Sequence, residues 1–183
     1  MNQRFPWLTI GVLLVTALTT GAMLVSPQVG TTLERNAPRM LNGEPWRFVT
    51  TWLVETDGWS QIGINFLGLA VYGYLCERFI GWRWWILAYV VAGLAGEIAA
   101  LWWQPVGGGN SVAICGLIGL FSMWQVRRQP QGLGPPRYAG FAFWLALGLY
   151  LLVRQDIHGA ALVTAFIVGA LVFARPRAEL ANG

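Results

Sequence analysis

Long apolar runs separated by short polar segments set the pattern of this chain. The runs fall at about 7–25, 60–77, 84–103, 110–126, 138–153 and 158–174. About 20 predominantly apolar residues carry a helix across the hydrocarbon core of a bilayer. A backbone in lipid has to satisfy its own hydrogen bonds, so each run reads as a helix rather than a strand. The last three runs are short and suit a thin or locally deformed bilayer. The pattern predicts an all-α polytopic membrane protein, a bundle of six transmembrane helices forming one domain over residues 1–183. The first run follows Arg4 as a secretory signal core would. It is longer than such a core and further spans follow it, so it is expected to be a retained helix.

The polar intervals differ from one another. Residues 26–59 contain Pro27, Pro38 and Pro45, which predicts a long first loop broken by proline rather than one continuous helix. "RRQPQGLGPPR", residues 127–137, reads as an ordinary polar loop, and "ARPRAELANG" as a short solvated tail.

Composition sharpens this picture. With 56% hydrophobic and 11% charged residues and a mean hydropathy of +0.53, the chain falls in the membrane class. The formal charge of +4 is carried by arginine alone, scattered between apolar runs and forming no single stripe, so a nucleic-acid partner is not indicated. The arginines instead fix an orientation. With a cytoplasmic N-terminus, Arg4, Arg78, Arg83, Arg127, Arg128, Arg137, Arg175 and Arg177 lie inside. Arg35, Arg39, Arg47 and Arg154 then lie outside, offset by Glu34, Glu44, Glu55, Asp57 and Asp156. That bias places both termini in the cytoplasm. Trp82, Trp84 and Trp85 are expected at the inner boundary of the third helix, and Trp102 and Trp103 at its outer one. Cys76 and Cys115 sit inside apolar runs, where a cysteine is ordinarily a small hydrophobe.

In this topology the even-numbered helices start at the outer face, and their first turns share one depth. The second opens with Ser60, Gln61 and Asn65, the fourth with Asn110 and Ser111, the sixth with His158, the single histidine of the chain. Strongly polar groups at membrane depth mark a functional site. Ala161, Ala165 and Gly169 share a face with His158, and Gly116 and Gly119 on the fourth helix offer a similarly smooth surface. Contact between those faces would bring Ser111 to His158, a nucleophile to its usual base. Gln61 and Asn65, one turn apart, present amide donors suited to an oxyanion. The N–H groups at the start of the fourth helix and its macrodipole favour the same charge. Gly107, Gly108 and Gly109 allow a tight turn into that helix.

These segments, in this order, resemble the rhomboid family of intramembrane serine proteases. "EPWRFVT" supplies the Trp-Arg pair of the first loop as Trp46 and Arg47. "WSQIGINFLGLAVYG" corresponds to the family's second helix, "GNSVAICGLIG" to its Gly-x-Ser-Gly helix, and "DIHGAALVTAFIVGA" to its histidine helix. The similarity runs from about Glu44 to Ala174. It implies a Ser111–His158 dyad without an aspartate, and an oxyanion supported by Asn65, Gln61 and the backbone N–H of Ser111. Trp46, Arg47, Gly109 and Gly116 become structural motif positions. The first loop becomes a lateral element near the substrate's point of access. No cofactor or metal is implied; the partners are a transmembrane protein substrate and membrane lipid. Gln61 stands where the family has histidine, and Val112 where it has glycine. The branched Val112 is expected to press on a neighbouring helix, with Ala160 and Ala161 as the compensating small residues.

Other readings attach to the same residues. Ser111 or Asn110 could serve only as an N-cap, and Gln61 and Asn65 only as interhelical glue. Cys115, one turn below Ser111, is an alternative nucleophile. Arg154 and Asp156 beside His158 could orient it, but read more simply as loop charges. Glu97, inside the third span, has to be protonated, partnered or solvated. At the level of function, the alternatives to an intramembrane endopeptidase are a rhomboid-like pseudoprotease that binds transmembrane segments uncut, and a small transporter.

Overall fold

The computed structural model describes residues 5–128 and 137–174. The positions expected to form the middle of the 127–137 loop and the C-terminal tail lie outside the described residues, as do Arg4, Arg175 and Arg177. The spans fall where the apolar runs predicted them: α1 Trp7–Val25, α7 Trp82–Trp103, α8 Ser111–Arg128, α9 Arg137–Val153 and α10 Ile157–Ala174. The second span consists of α5 Gly58–Gly68 and α6 Tyr74–Phe79, joined by a five-residue π turn, Leu69–Gly73. Three helices, α1, α7 and α10, are long and apolar enough to cross a membrane by themselves, and α8 and α9 are shorter apolar helices.

The proline-broken loop folds into α2 Pro27–Leu33, α3 Ala37–Leu41, α4 Arg47–Thr50 and a 3-10 turn at Thr51–Leu53. Two short strands accompany them, β1 Arg35–Asn36 and β2 Val106–Gly107. They pair antiparallel, with Arg35 opposite Gly107 and Asn36 opposite Val106. This ribbon ties the first loop to the glycine-rich approach to α8. Thr51 strengthens the tie, because its carbonyl accepts from Gly109 N–H at 3.0 Å.

The centre of the bundle is α8, whose residues from Val112 to Met123 are all buried. It packs against α7, α9 and α10. Small residues allow the close approach. A Cβ on Gly119 would lie 2.5 Å from Ala165 Cβ of α10, as the smooth-face reading required. Gly116 faces α7 instead, where a Cβ would lie 2.1 Å from the Ala88 carbonyl oxygen and 3.0 Å from Ala92 Cβ. The sequence placed Gly116 toward α10, because spacing alone does not say which neighbour a small residue meets. Val112 corrects a second expectation. Room for it is made at Gly96 of α7, where a Cβ would come within 2.9 Å of the Val112 side chain, a helix to which the expectation of Ala160 and Ala161 did not point.

Because the atoms opposing Gly116 are backbone, Gly116→Ala forces α7 and α8 apart. The expected cost is about 1–3 kcal/mol. Thermal unfolding in a fixed detergent measures it, against Gly63→Ala as a control whose Cβ meets nothing within 4 Å. Equal midpoints for the two variants would refute the packing argument.

The helix α1 fully buries only threonines, Thr9, Thr16 and Thr20; Leu8, Val12 and Leu13 pack part-buried on the core, while Leu14, Leu18, Leu24 and Val25 are exposed. Its unpaired N-terminal N–H groups are met by Glu77 of α6. That carboxylate accepts from Leu8 N–H and Thr9 N–H, each at 3.0 Å, and from Thr9 Oγ1 at 2.8 Å. Trp85 departs from its expected place at the boundary. It is buried and stacks on Tyr89 at 4.7 Å, so of the three tryptophans at this end Trp82 is the exposed one.

Candidate active site

Ser111 and His158 open α8 and α10, and their side chains meet: Ser111 Oγ stands 2.8 Å from His158 Nε2. Both line a cleft of about 260 Å³, together with Arg35, Asp57, Gln61, Gln104, the 106–109 segment, Val112 and Ile157. Polar residues from three helix starts and the first loop therefore converge, as the common depth of the even-numbered helices predicted.

Local geometry fixes each partner. Gly109 has φ +140, a region that disfavours any side chain, and a Cβ there would press on Gln61 Nε2 at 2.7 Å. The chain can thus turn sharply just before α8. The carbonyl of Asn110 accepts the helix bond from Ile114 N–H at 2.9 Å, but its buried side chain has no hydrogen-bond partner, so it caps nothing. At the other end, Gln155 adopts φ 55 and turns the chain between α9 and α10. Asp156 follows directly. Its Oδ1 accepts from His158 backbone N–H at 2.9 Å and lies 2.6 Å from His158 Nδ1. The imidazole hydrogen bond, reinforced by the backbone N–H, holds the Asp156 carboxyl below its ordinary range despite partial burial. Asp156 is thus no ordinary loop charge. Its place two residues before the histidine was visible in the sequence; the turn that aims it was not.

The amides expected at the oxyanion are engaged elsewhere. Gln61 lines the cleft, but its Nε2 donates to Gly108 O at 2.8 Å and to Asp57 Oδ2 at 3.2 Å. Asn65 is buried, does not line the cleft and donates to Glu55 Oε2 at 2.6 Å. Sequence reasoning missed Glu55, which also accepts from Asn110 N–H at 3.3 Å and so joins α5 to the start of α8. Burial pushes its carboxyl up to about 7 against the opposing effect of these two bonds. The backbone N–H groups of the first turn of α8 remain as donors with no intrahelical partner.

Glu97 resolves as partnered. Its two carboxylate oxygens accept from Arg35 Nη1 at 3.0 and 3.1 Å, and Arg35 Nε donates to Gln104 O at 2.7 Å. The sequence left protonation, a partner or water open for this acid; the structure supplies a partner, Arg35 of the first loop. Arg47 is buried and bonded to Glu44 at 2.6 Å and to the carbonyls of Thr31 and Glu34, which fixes the loop, whereas Trp46 is half exposed. Cys115 is buried and does not line the cleft. Among the described residues, no group of three or more His, Cys, Asp and Glu side chains is placed to hold a metal ion. A larger hollow, about 420 Å³ between Phe5, Trp7, Leu8, Glu77 and Trp82, involves none of these residues.

No curated protein matches the chain. Residues 42–175, most of the chain and all of the segments that line this cleft except Arg35, match the family described as Rhomboid domain. With an all-α membrane bundle built around that match, the chain is an integral membrane protein that belongs to the rhomboid family.

Proposed function

We propose that this protein is an intramembrane serine endopeptidase that cuts transmembrane segments of other membrane proteins. The observation that supports this most directly is the 2.8 Å approach of Ser111 Oγ to His158 Nε2 inside a polar cleft. In the proposed reaction Ser111 Oγ attacks the scissile carbonyl carbon while His158 Nε2 takes the hydroxyl proton. The tetrahedral oxyanion is held by the backbone N–H of Ser111, with the positive end of α8 behind it. Gln61, lining the same cleft, contributes its amide once Gly108 O releases it, and Asn65 does so if Glu55 lets it turn. The intermediate collapses, the C–N bond breaks, and His158 returns the proton to the leaving amine. Water then hydrolyses the acyl-enzyme by the same steps and frees Ser111.

A peptide carbonyl inside a helix is screened by its own hydrogen bonds, so the substrate has to unwind locally to reach Ser111. The first loop, pinned by the β1–β2 ribbon next to the cleft, is the proposed lateral gate. The arginine bias supports both termini in the cytoplasm, with the cleft near the outer face; the membrane we propose is a bacterial inner membrane. Gln61 and Val112 favour a second reading, a pseudoprotease that holds transmembrane segments uncut.

Co-expression of a tagged transmembrane substrate with wild type and with Ser111→Ala separates the two, together with labelling by a fluorophosphonate. A protease cuts the substrate and labels, and the variant does neither at matched protein level. A binder co-purifies with intact substrate and takes no label, which would sink the protease reading.

A further inference from the structure

We infer that Asp156 is a positioning residue for His158, so that the site operates as a Ser111–His158–Asp156 triad rather than a bare dyad. The inference rests on the protease reading for its kinetic consequences, but its geometric core is independent of it. A single oxygen, Asp156 Oδ1, holds His158 twice: at the backbone N–H, 2.9 Å, and at ring Nδ1, 2.6 Å. The first contact fixes where the residue sits and the second fixes the rotation of its ring.

A carboxylate accepts hydrogen bonds and does not donate them, so this contact requires the proton of the neutral imidazole to be on Nδ1. The lone pair of Nε2 then faces Ser111 Oγ, as a general base must. Without an acceptor at Nδ1 the proton is free to occupy Nε2, where it blocks the base. Once His158 has taken the serine proton, the adjacent carboxylate also stabilises the resulting imidazolium.

The surrounding charges do not substitute for Asp156. Glu97 of α7 is close enough to His158 to interact electrostatically, but both of its oxygens are engaged by Arg35. Asp57, across the cleft, is hydrogen-bonded to Gln61. Ser111 meets the other ring nitrogen, and the Gln104 side chain, in the same cleft, is hydrogen-bonded to Asp156.

The competing role for Asp156 is purely structural, an N-cap for α10 through the His158 N–H. Ser and Asn cap a helix about as well as Asp. Asp156→Ser therefore keeps the cap but cannot reach Nδ1, and Asp156→Asn keeps both size and cap but loses the charge. Because His158 is the single histidine, ¹⁵N-histidine labelling of the detergent-solubilised protein yields one imidazole whose two nitrogen resonances report the tautomer directly.

The neutral imidazole of wild type is expected to carry its proton on Nδ1 and to leave Nε2 bare, and Asp156→Ser is expected to lose that pattern. Asp156→Asn, whose Oδ1 still accepts from Nδ1, keeps it and loses only the charge that stabilises the imidazolium. With the tagged transmembrane substrate, kcat is expected to fall about 100-fold in each variant while KM stays within a factor of two. The loss is smaller than in a fully buried triad because Asp156 is partly open to water. A wild-type imidazole protonated on Nε2, an Asp156→Ser variant that keeps the wild-type resonances, or either variant with the wild-type kcat would overturn the inference. Ser111→Ala with undiminished cleavage would instead overturn the protease reading, and the tautomer measurement would still stand.

Discussion

Ser111→Ala, His158→Ala and the double variant are expected to lose cleavage by one and the same factor, at least about 10⁴-fold. The reason lies in the contact between Ser111 Oγ and His158 Nε2. A serine hydroxyl without a base stays protonated and barely attacks a carbonyl, while a histidine without the serine has no proton to take in this step. The first substitution therefore removes what the second would remove again, and the residual rate reflects whatever the oxyanion donors and substrate binding still provide. Initial rates on one transmembrane substrate, at matched protein concentration and unchanged thermal midpoint, measure the three losses. A double variant whose loss is the product of the single losses would mean that the residues act independently, contrary to the dyad. Residual cleavage by Ser111→Ala that a thiol reagent abolishes would transfer the nucleophile's role to Cys115, which lies buried below the cleft.

Why these two residues were legible and others were not follows from the solvent. Against an apolar background a serine, a histidine or an amide is conspicuous, and alternation of the spans across the bilayer gives the depth of each helix start. Ser111, His158 and Gln61 could therefore be placed in one layer from the sequence. What a polar group bonds to is another matter. Asn65 was readable as a donor, but its acceptor Glu55 comes from an irregular loop, whose path no periodicity encodes. Asp156 stood in plain view two residues before His158, yet its aim depends on a turn through a left-handed Gln155, a conformation glutamine does not advertise. The same limit applies to packing. Val112 announces that space is needed, and the space is at Gly96, on another helix. Apolar patterning defines which residues are inside, but not which neighbour each one meets. The six-helix architecture was thus open to sequence reading, while the pairing inside it was not.

That distinction matters most at Glu97. Glu97→Ala is expected to lower stability by about 3–5 kcal/mol, because it leaves the guanidinium of Arg35 buried and unpaired. The pair is nearly dry, with side-chain exposures of 7% for Arg35 and 0% for Glu97, so solvent does little to screen the stranded charge. Thermal unfolding in a fixed detergent should show the midpoint fall by roughly 10 °C. Replacing both partners by apolar residues of similar volume, Arg35→Met with Glu97→Leu, is expected to recover most of the loss, since no buried charge then remains. Recovery should be incomplete, because the bond from Arg35 Nε to Gln104 O disappears as well. A double variant as unstable as Glu97→Ala would assign the loss to packing and remove the stranded-charge explanation. The two substitutions also separate stability from activity. Arg35 is paired with Gly107 in the β1–β2 ribbon and lines the cleft, so it braces the segment that leads into Ser111. The double variant should therefore regain its thermal midpoint more fully than its cleavage rate. Equal recovery of both would show that Arg35 holds the bundle together but does nothing to position the turn before the serine.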